Sequence, residues 1–269
     1  MIKFWKMNGA GNDFVVIDNR DKKYALSTKQ IAALCDRHRG VGADGLLAVE
    51  PAQKGADFRM RYYNADGGEA EMCGNGARCF ATFANKLSGG QRDVISFETP
   101  AGVISATFEG VKVCLAMSVP HTLRTDLELE VNGIVHTVHF INTGVPHAVV
   151  PVEVMETVPV RVLGAALRHH PEFQPKGTNV NFMKVLKKST IAIRTYERGV
   201  EDETLACGTG MVACAIIHAH LTGIEGPVSV KVRGGDTLQV GFARNGHIWQ
   251  NVTLTGPADI VFEGEIKLA

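Results

Sequence analysis

Two thiols stand where a chain can make a thiol reactive. In Glu203-Thr204-Leu205-Ala206-Cys207-Gly208-Thr209-Gly210, a cysteine and a Gly-x-Gly follow a β-like run and precede an apolar helical one. That order puts the thiol at a helix N-terminus, where free backbone N–H groups and the positive end of the helix dipole stabilise negative charge. A thiol held there falls below its free pKa of about 8.5, and the thiolate is the reactive form. The arrangement recurs as Glu71-Met72-Cys73-Gly74-Asn75-Gly76. If both helix ends point into one cleft, a substrate α-carboxylate takes N–H bonds from both helices, with one sulfur over each face of its Cα. That suits inversion of a carbon centre: one thiolate removes the Cα proton and the opposite thiol delivers another. The carbanion-like transition state then needs aligned donors and a dry, closed site.

The elements that position these thiols are legible in the pattern. Ile2 to Met7 and Phe14 to Asp18 read as strands about a turn at residues 8–13. Ser27 with Gln30 predicts a capping box for a helix through about Arg37, with Gly40 as its C-cap. Leu46 to Glu50 and Phe58 to Asn64 are strands, the second alternating apolar residues at Phe58, Met60 and Tyr62. A helix over Asn75 to Leu87 carries the first thiol at its start, and short strands follow at 94–99, 103–108 and 111–117. Asn132-Gly133 predicts a type I′ hairpin between 127–131 and 134–141. The second half continues with a strand at 148–152, a helix near 161–169, strands at 179–186 and 190–197, and the helix from about Thr209 to Leu221 ended by Gly223. Strands at 228–232, 237–242, 248–255 and 260–266 close the chain.

The halves repeat. Cys207 follows Cys73 by 134 positions (207 − 73), and His147 follows Asp13 by 134 (147 − 13). Tyr63-Asn64 parallels Tyr196-Glu197, and Ala101-Gly102 parallels Gly234-Gly235, both at an offset of 133 (196 − 63, 234 − 101). Landmarks in register at one period mark two copies of one unit. The expected fold is α+β: two pseudo-symmetric lobes, each a mostly antiparallel curved sheet around a central helix, with the active site in the cleft between them. The expected domains are 1–118 and 119–269, the strand near 260–266 returning to the first.

Composition narrows the classes of function. Lys+Arg and Asp+Glu both number 28, which leaves no electrostatic case for nucleic acid or an anionic membrane. No apolar run reaches the roughly 18 residues of a membrane span, and the start lacks a signal-peptide pattern. A cytoplasmic protein with six reduced cysteines is expected, so a disulfide framework is not. Lys267-Leu268-Ala269 resembles a vector remnant and carries no weight.

Other residues have bland readings beside the chemical one. Cys35, Cys79, Cys114 and Cys214 read as small buried hydrophobes, two of them inside helices. Cys73 to Cys79 is too wide for a C-x₂-C ligand pair, so no metal is expected. Asn12 and Asn64 sit at strand ends and could be turn-forming amides, although the repeat favours a role at the site. Glu197-Arg198 could be a surface ion pair. Ten residues before Cys207, at the end of a β-run, they are better suited to holding an amino group and a carboxylate. His147 reads as a structural histidine or a residue near the substrate. Gly9-Ala10-Gly11-Asn12 lacks the third glycine and βαβ context of a dinucleotide fingerprint.

These motifs resemble the diaminopimelate epimerase family nearly end to end: residues 8–14, 40–45, 64–76, 143–147, Asn179 and 196–210 carry the likeness. The resemblance implies cofactor-independent interconversion of LL- and meso-diaminopimelate, on the route to lysine and peptidoglycan cross-links, by a small-molecule isomerase acting as a homodimer. It makes Cys73 and Cys207 the acid/base pair, and Gly74-Asn75 and Gly208-Thr209 the carboxylate cradles. Asn12, Asn64, Asn179, Glu197 and Arg198 become substrate binders, with the amino group near Glu197 and His147 supporting beside the cleft. Gly45 stands where some members carry Gln and Val145 where some carry Asn, so no side-chain contact is assigned at either position.

Three rivals share some of these features. A proline or hydroxyproline racemase-like enzyme also uses two cysteines, but a long dicarboxylate fits the polar residues at 12, 64, 197 and 198 better. A redox protein would join Cys73 and Cys207 reversibly, and a silent binding module would need neither thiol. Pyridoxal phosphate would require a Schiff-base lysine, and nothing in the sequence marks one out.

Overall fold

β1 (Ile2–Gly9) and β2 (Asn12–Asp18) form an antiparallel hairpin in which Gly9 faces Asn12. Its turn residues Ala10 and Gly11 have φ of 62° and 84°, the two left-handed conformations that a type I′ turn requires. The computed structural model describes residues 1–70, 72–246 and 248–267. Glu71 of the first cysteine turn and residues 268–269 of the C-terminal tripeptide lie outside the described residues.

After the hairpin come α1 (Thr28–Cys35), β3 (Gly45–Pro51), β4 (Phe58–Asn64), β5 (Glu69–Ala70), α2 (Gly74–Leu87), β6 (Val94–Thr99), β7 (Gly102–Glu109) and β8 (Lys112–Ala116). Ser27 and Gln30 form the expected capping box on α1. The end of α1 departs from expectation: its C-cap is Asp36, in extended backbone with φ −61° and ψ 121°, and not Gly40. The Asp36 carboxylate accepts the N–H groups of His38 at 2.7 Å and Arg39 at 2.8 Å. That local turn competes with the next helical hydrogen bonds and stops the helix early.

The chain continues through β9 (His121–Val131), β10 (Ile134–Asn142), β11 (Pro146–Pro151), α3 (Val160–Arg168) and a 3₁₀ turn (Pro171–Phe173). β12 (Asn179–Lys187), β13 (Thr190–Glu197), β14 (Asp202–Thr204), α4 (Gly208–Thr222), β15 (Val228–Lys231), β16 (Thr237–Asn245), β17 (Ile248–Pro257) and β18 (Asp259–Ile266) follow. Asn132 and Gly133, with φ of 53° and 77°, make the type I′ turn between β9 and β10.

The chain divides into two compact units, Met1–Leu115 with Gly256–Ala269, and Ala116–Thr255. In the first, β18 pairs antiparallel with β1, then β2, β3 and β4 follow, β4 runs parallel to β6, and β7 and β8 complete the order. In the second, β9 pairs with β10, then β11, β12 and β13 follow, β13 runs parallel to β15, and β16 and β17 complete the order. The parallel pairs fall at the same places, β2 with β3 and β11 with β12, then β4 with β6 and β13 with β15. Each unit is thus a mostly antiparallel sheet of one topology.

Within each sheet one helix is wrapped by strands. α2 touches β1, β2, β3, β4, β6 and β18, and α4 touches β10, β11, β12, β13, β15 and β16. α4 is accordingly apolar on nearly every side, from Met211 to Ala219. α2 packs its aromatics on the strands, Phe83 on Trp5 and Phe80 on Phe97, with ring centroids 4.6 and 4.7 Å apart. α1 and α3 cover the outer faces, α1 through Ile31 and Leu34 against Val15, Ile17 and Leu46, α3 through Leu167 against Val180 and Phe182.

Candidate functional site

Cys73 and Cys207 occupy the same structural position. Each is the N-cap of its wrapped helix, in extended backbone with φ −139°, ψ 121° for Cys73 and φ −124°, ψ 113° for Cys207. The carbonyl of Cys73 accepts the first helical bond from Ala77 at 2.7 Å, and that of Cys207 accepts it from Met211 at 2.9 Å. A glycine stands at the first helical position in both, Gly74 and Gly208, and again two residues later. The thiols therefore lie at the positive end of a helix dipole, beside N–H groups that have no partner within the helix itself.

The other cysteines are of a different kind. Burial pushes Cys35 up to about 11 and Cys79 up to about 12, and raises Cys214 well above the ordinary thiol value. Inert packing is the physical reading of these three.

Around Cys73, the first unit gathers Asn12 and Asn75. The Cys73 thiol donates to Asn12 Oδ1 at 3.4 Å, and Asn75 Nδ2 donates to the same oxygen at 3.3 Å. Asn75 is oriented from beneath by Arg78, whose Nη2 donates to Asn75 Oδ1 at 3.0 Å and to the Gly9 carbonyl at 3.4 Å. Arg78 is fully buried, and its Nε also reaches the Pro257 carbonyl at 3.1 Å. Gly9 has to be glycine: a Cβ there would stand 2.8 Å from the Asn75 carbonyl oxygen. Asn64 pairs with Gly45 at the end of β4 and is exposed at the β4–β5 turn, where the Tyr62 hydroxyl donates to its Oδ1 at 2.9 Å.

Around Cys207, the second unit places Thr209 Oγ1 3.6 Å from the sulfur. Thr143 Oγ1 holds the Thr209 carbonyl at 3.0 Å. The parallel register of β11 on β12 sets His147 beside Asn179. Asn179 Oδ1 accepts the Arg198 N–H at 2.8 Å, and its Nδ2 donates to the Pro146 carbonyl at 3.3 Å. The Arg198 guanidinium donates to the Lys176 carbonyl at 3.3 Å.

Glu197 is half-buried with its Oε2 accepting the Thr204 hydroxyl at 3.0 Å. Burial raises its pKa, and the Thr204 hydrogen bond works against that rise. Glu197 and Arg198 are therefore not the plain surface ion pair of the bland reading, because each has its own partner.

Sequence reasoning missed a buried polar chain behind Cys207. Asn181, fully buried, donates through Nδ2 to the Ala148 carbonyl at 3.0 Å and lies 3.1 Å from His147 Nδ1. Thr195 Oγ1 donates to Asn181 Oδ1 at 2.9 Å. Nδ1 of His147 thus acts as acceptor, which assigns the ring proton to Nε2. That Nε2 is buried and has no hydrogen-bond partner among the described residues. Burial, helped by the positive charge of Arg198, pushes His147 down to about 3, so the ring is neutral. Asparagines at 179 and 181, two apart on one strand, were the available signal. Asp44, which contacts Asn12 Nδ2 at 2.6 Å, lay in the Gly40–Gly45 stretch without an assigned role.

Among the described residues no group of three or more His, Cys, Asp or Glu side chains is arranged to hold a metal ion.

The chain matches the family model described as diaminopimelate epimerase over residues 4–120 and 139–261. It is 47% identical to the diaminopimelate epimerase of Aquifex aeolicus (strain VF5), covering 99% of this chain and 98% of that protein. Among solved structures it is similar to a phenazine biosynthesis protein from Bacillus anthracis, with a TM-score of 0.73 at 16% identity, covering 99% of each chain. It is also similar to a probable proline racemase from Agrobacterium radiobacter K84, with a TM-score of 0.72 at 17% identity, covering 100% of this chain and 94% of that one. At such identities these two structures speak to the fold alone.

Proposed function

The chain belongs to the diaminopimelate epimerase family, and from that premise we propose that it interconverts LL- and meso-diaminopimelate without a cofactor, Cys73 and Cys207 being the two proton-transfer groups. The observation that carries the mechanism is the matched pair of caps: two thiols, each in extended backbone at the start of a buried helix, each followed by glycine. A helix start favours the thiolate, and a thiolate is a competent base for a Cα proton only when the developing charge is met by fixed donors.

In this reading the N–H groups of Gly74-Asn75 and Gly208-Thr209 hold the substrate α-carboxylate, whose charge they match. Glu197 takes the reacting amino group. Its carboxyl is raised by burial, and an ammonium beside it favours the ionised form. Asn12, Asn64, Asn179 and Arg198 bind the remaining polar groups, and His147 offers its Nε2–H. In the chemical step one thiolate takes the Cα proton while the opposite thiol gives its own to the other face. Afterwards the two sulfurs have exchanged protonation states, and no electrons have left the substrate. Among the described residues no helix is long and apolar enough to cross a membrane. The same reading takes the substrate as the small-molecule partner, a homodimer as the assembly and the cytoplasm as its place.

The test is Cα–H exchange into D₂O, followed by NMR, with LL- or meso-diaminopimelate under reductant and no added cofactor. Wild type is expected to exchange and invert, and both Cys73→Ser and Cys207→Ser to lose inversion. Wild type without exchange, or a serine variant that inverts at the wild-type rate, overturns the proposal.

A further inference from the structure

We propose that Asp44 is a positioning residue: it locks the Asn12 amide with its oxygen on the Cys73 thiol and so holds that thiol protonated before substrate binds. A primary amide has a donor end and an acceptor end, and either could face the sulfur. Here Asn12 Nδ2 donates to Asp44 Oδ2 at 2.6 Å, and an ionised carboxylate only accepts. The amide therefore cannot turn round without setting oxygen against oxygen. Its Oδ1 is left to accept from Asn75 Nδ2 and from the Cys73 thiol.

An acceptor facing a thiol favours S–H over S⁻, in opposition to the helix start beneath it. Cys207 differs: its neighbour Thr209 Oγ1 is a hydroxyl, able to donate to a thiolate. Two similar caps thus differ in what faces the sulfur: an amide oxygen that only accepts at Cys73, and a hydroxyl that can donate or accept at Cys207.

Asp44 is itself held. Arg37 Nη2 donates to its Oδ1 at 2.7 Å, and the Asp13 N–H reaches Oδ2 at 3.3 Å. Arg37 also grips Asp13 through both terminal nitrogens, at 3.0 and 2.7 Å, and Lys6 Nζ lies 2.7 Å from Asp13 Oδ2. The charged groups joined to Asn12 through these contacts are thus Lys6 on β1, Asp13 on β2, Arg37 after α1, Asp44 before β3 and, through Asn75, Arg78 on α2. Burial would raise the Asp13 carboxyl, but the bonds from Arg37 and Lys6 hold it well below the usual carboxylate range.

The inference rests on the proposed role of Cys73 for its catalytic meaning, but its test does not need turnover. The full-length chain, reduced, would be alkylated with iodoacetamide across a pH series. Modification of the Cys73 peptide alone would be followed by mass spectrometry. Asp44→Asn is made together with Asn75→Ala, so that no donor on α2 still holds the Asn12 oxygen, with Asn75→Ala alone as the control. Residue 44 can then donate, so the Asn12 amide can reverse and present N–H to the sulfur. The apparent Cys73 pKa is then expected to fall by about one unit, which is about tenfold faster alkylation below it. Asp44→Glu, still acceptor only, is expected to retain the wild-type value. Asn12→Asp, which keeps an acceptor on the sulfur and adds charge, is expected to raise it.

A Cys73 pKa in the folded Asp44→Asn, Asn75→Ala variant that is unchanged or raised relative to Asn75→Ala overturns the inference. If circular dichroism shows that variant unfolded, Asn12→Asp decides, and a lowered or unchanged value overturns it equally. Failure of wild type to exchange diaminopimelate would sink the functional proposal and leave this titration readable.

Discussion

The amide oxygen of Asn181 stands where a side chain on Gly210 would have to go. A Cβ at 210 would overlap it, and would also come within 3.3 Å of the Cys207 sulfur. β12 and the start of α4 are thus packed through a glycine, with Asn181 held by Thr195 at that same oxygen and by Ala148 and His147 at its Nδ2.

Alanine at this position is therefore expected to cost stability. Gly76 holds the corresponding place in α2, but the three atoms nearest a Cβ there are side-chain carbons of Phe14 and Leu47, at 3.3 to 3.4 Å. Gly210→Ala should destabilise by about 1–3 kcal/mol through overpacking against a fixed polar network. Gly76→Ala should lie within about 1 kcal/mol of wild type, because the better helix former offsets a small adjustment of side chains. Urea unfolding of both variants checks this, and equal losses would contradict it.

Acid should weaken the fold through His147. Burial holds its pKa at about 3 in the folded chain against an ordinary 6.5. Between those values the unfolded chain binds a proton that the folded one refuses, so stability falls as pH drops. The limiting slope is about 1.4 kcal/mol per pH unit for one proton. His139, also lowered by burial, acts in the same direction. Asp13 contributes stability that is present above its unfolded value of 3.8 and is lost only below it. Unfolding measured between pH 6.5 and 5 should therefore show a shallower slope for His147→Gln than for wild type. Parallel slopes would refute the assignment.

Thr204 should tune Glu197. Its hydroxyl hydrogen bond is the interaction that lowers a carboxyl otherwise raised by burial. Removing it in Thr204→Val should raise that pKa further, because the ionised carboxylate loses a hydrogen-bond donor. If Glu197 must be ionised to hold the amino group, the acidic limb of the kcat/KM profile moves up by the same amount. A profile that falls in height without moving would leave Thr204 a purely structural role.

The local features were legible because they depend on neighbours in sequence. The capping box at Ser27 and Gln30, the left-handed pair Asn132-Gly133 and the cysteine caps of α2 and α4 are decided within a few residues. Landmarks spaced by 133 and 134 positions were enough to expect a repeated unit, and the two sheets do share one strand order. Where a short-range signal failed, another short-range effect prevailed: the Asp36 side chain capped the turn that Gly40 was expected to end.

By itself, then, the sequence determined which residues begin the two buried helices, what chemistry a thiol there can do, and that the design occurs twice. Only the tertiary structure decided what each thiol faces. Asp44 reaches Asn12 because parallel pairing of β2 with β3 sets Phe14 beside Gly45, across some thirty residues of chain. Asn181 reaches His147 through the equivalent pairing of β12 with β11. Parallel register depends on crossover connections and on the packing of whole faces, which no local pattern encodes. The hydrogen-bonding environment of each sulfur depends on that register.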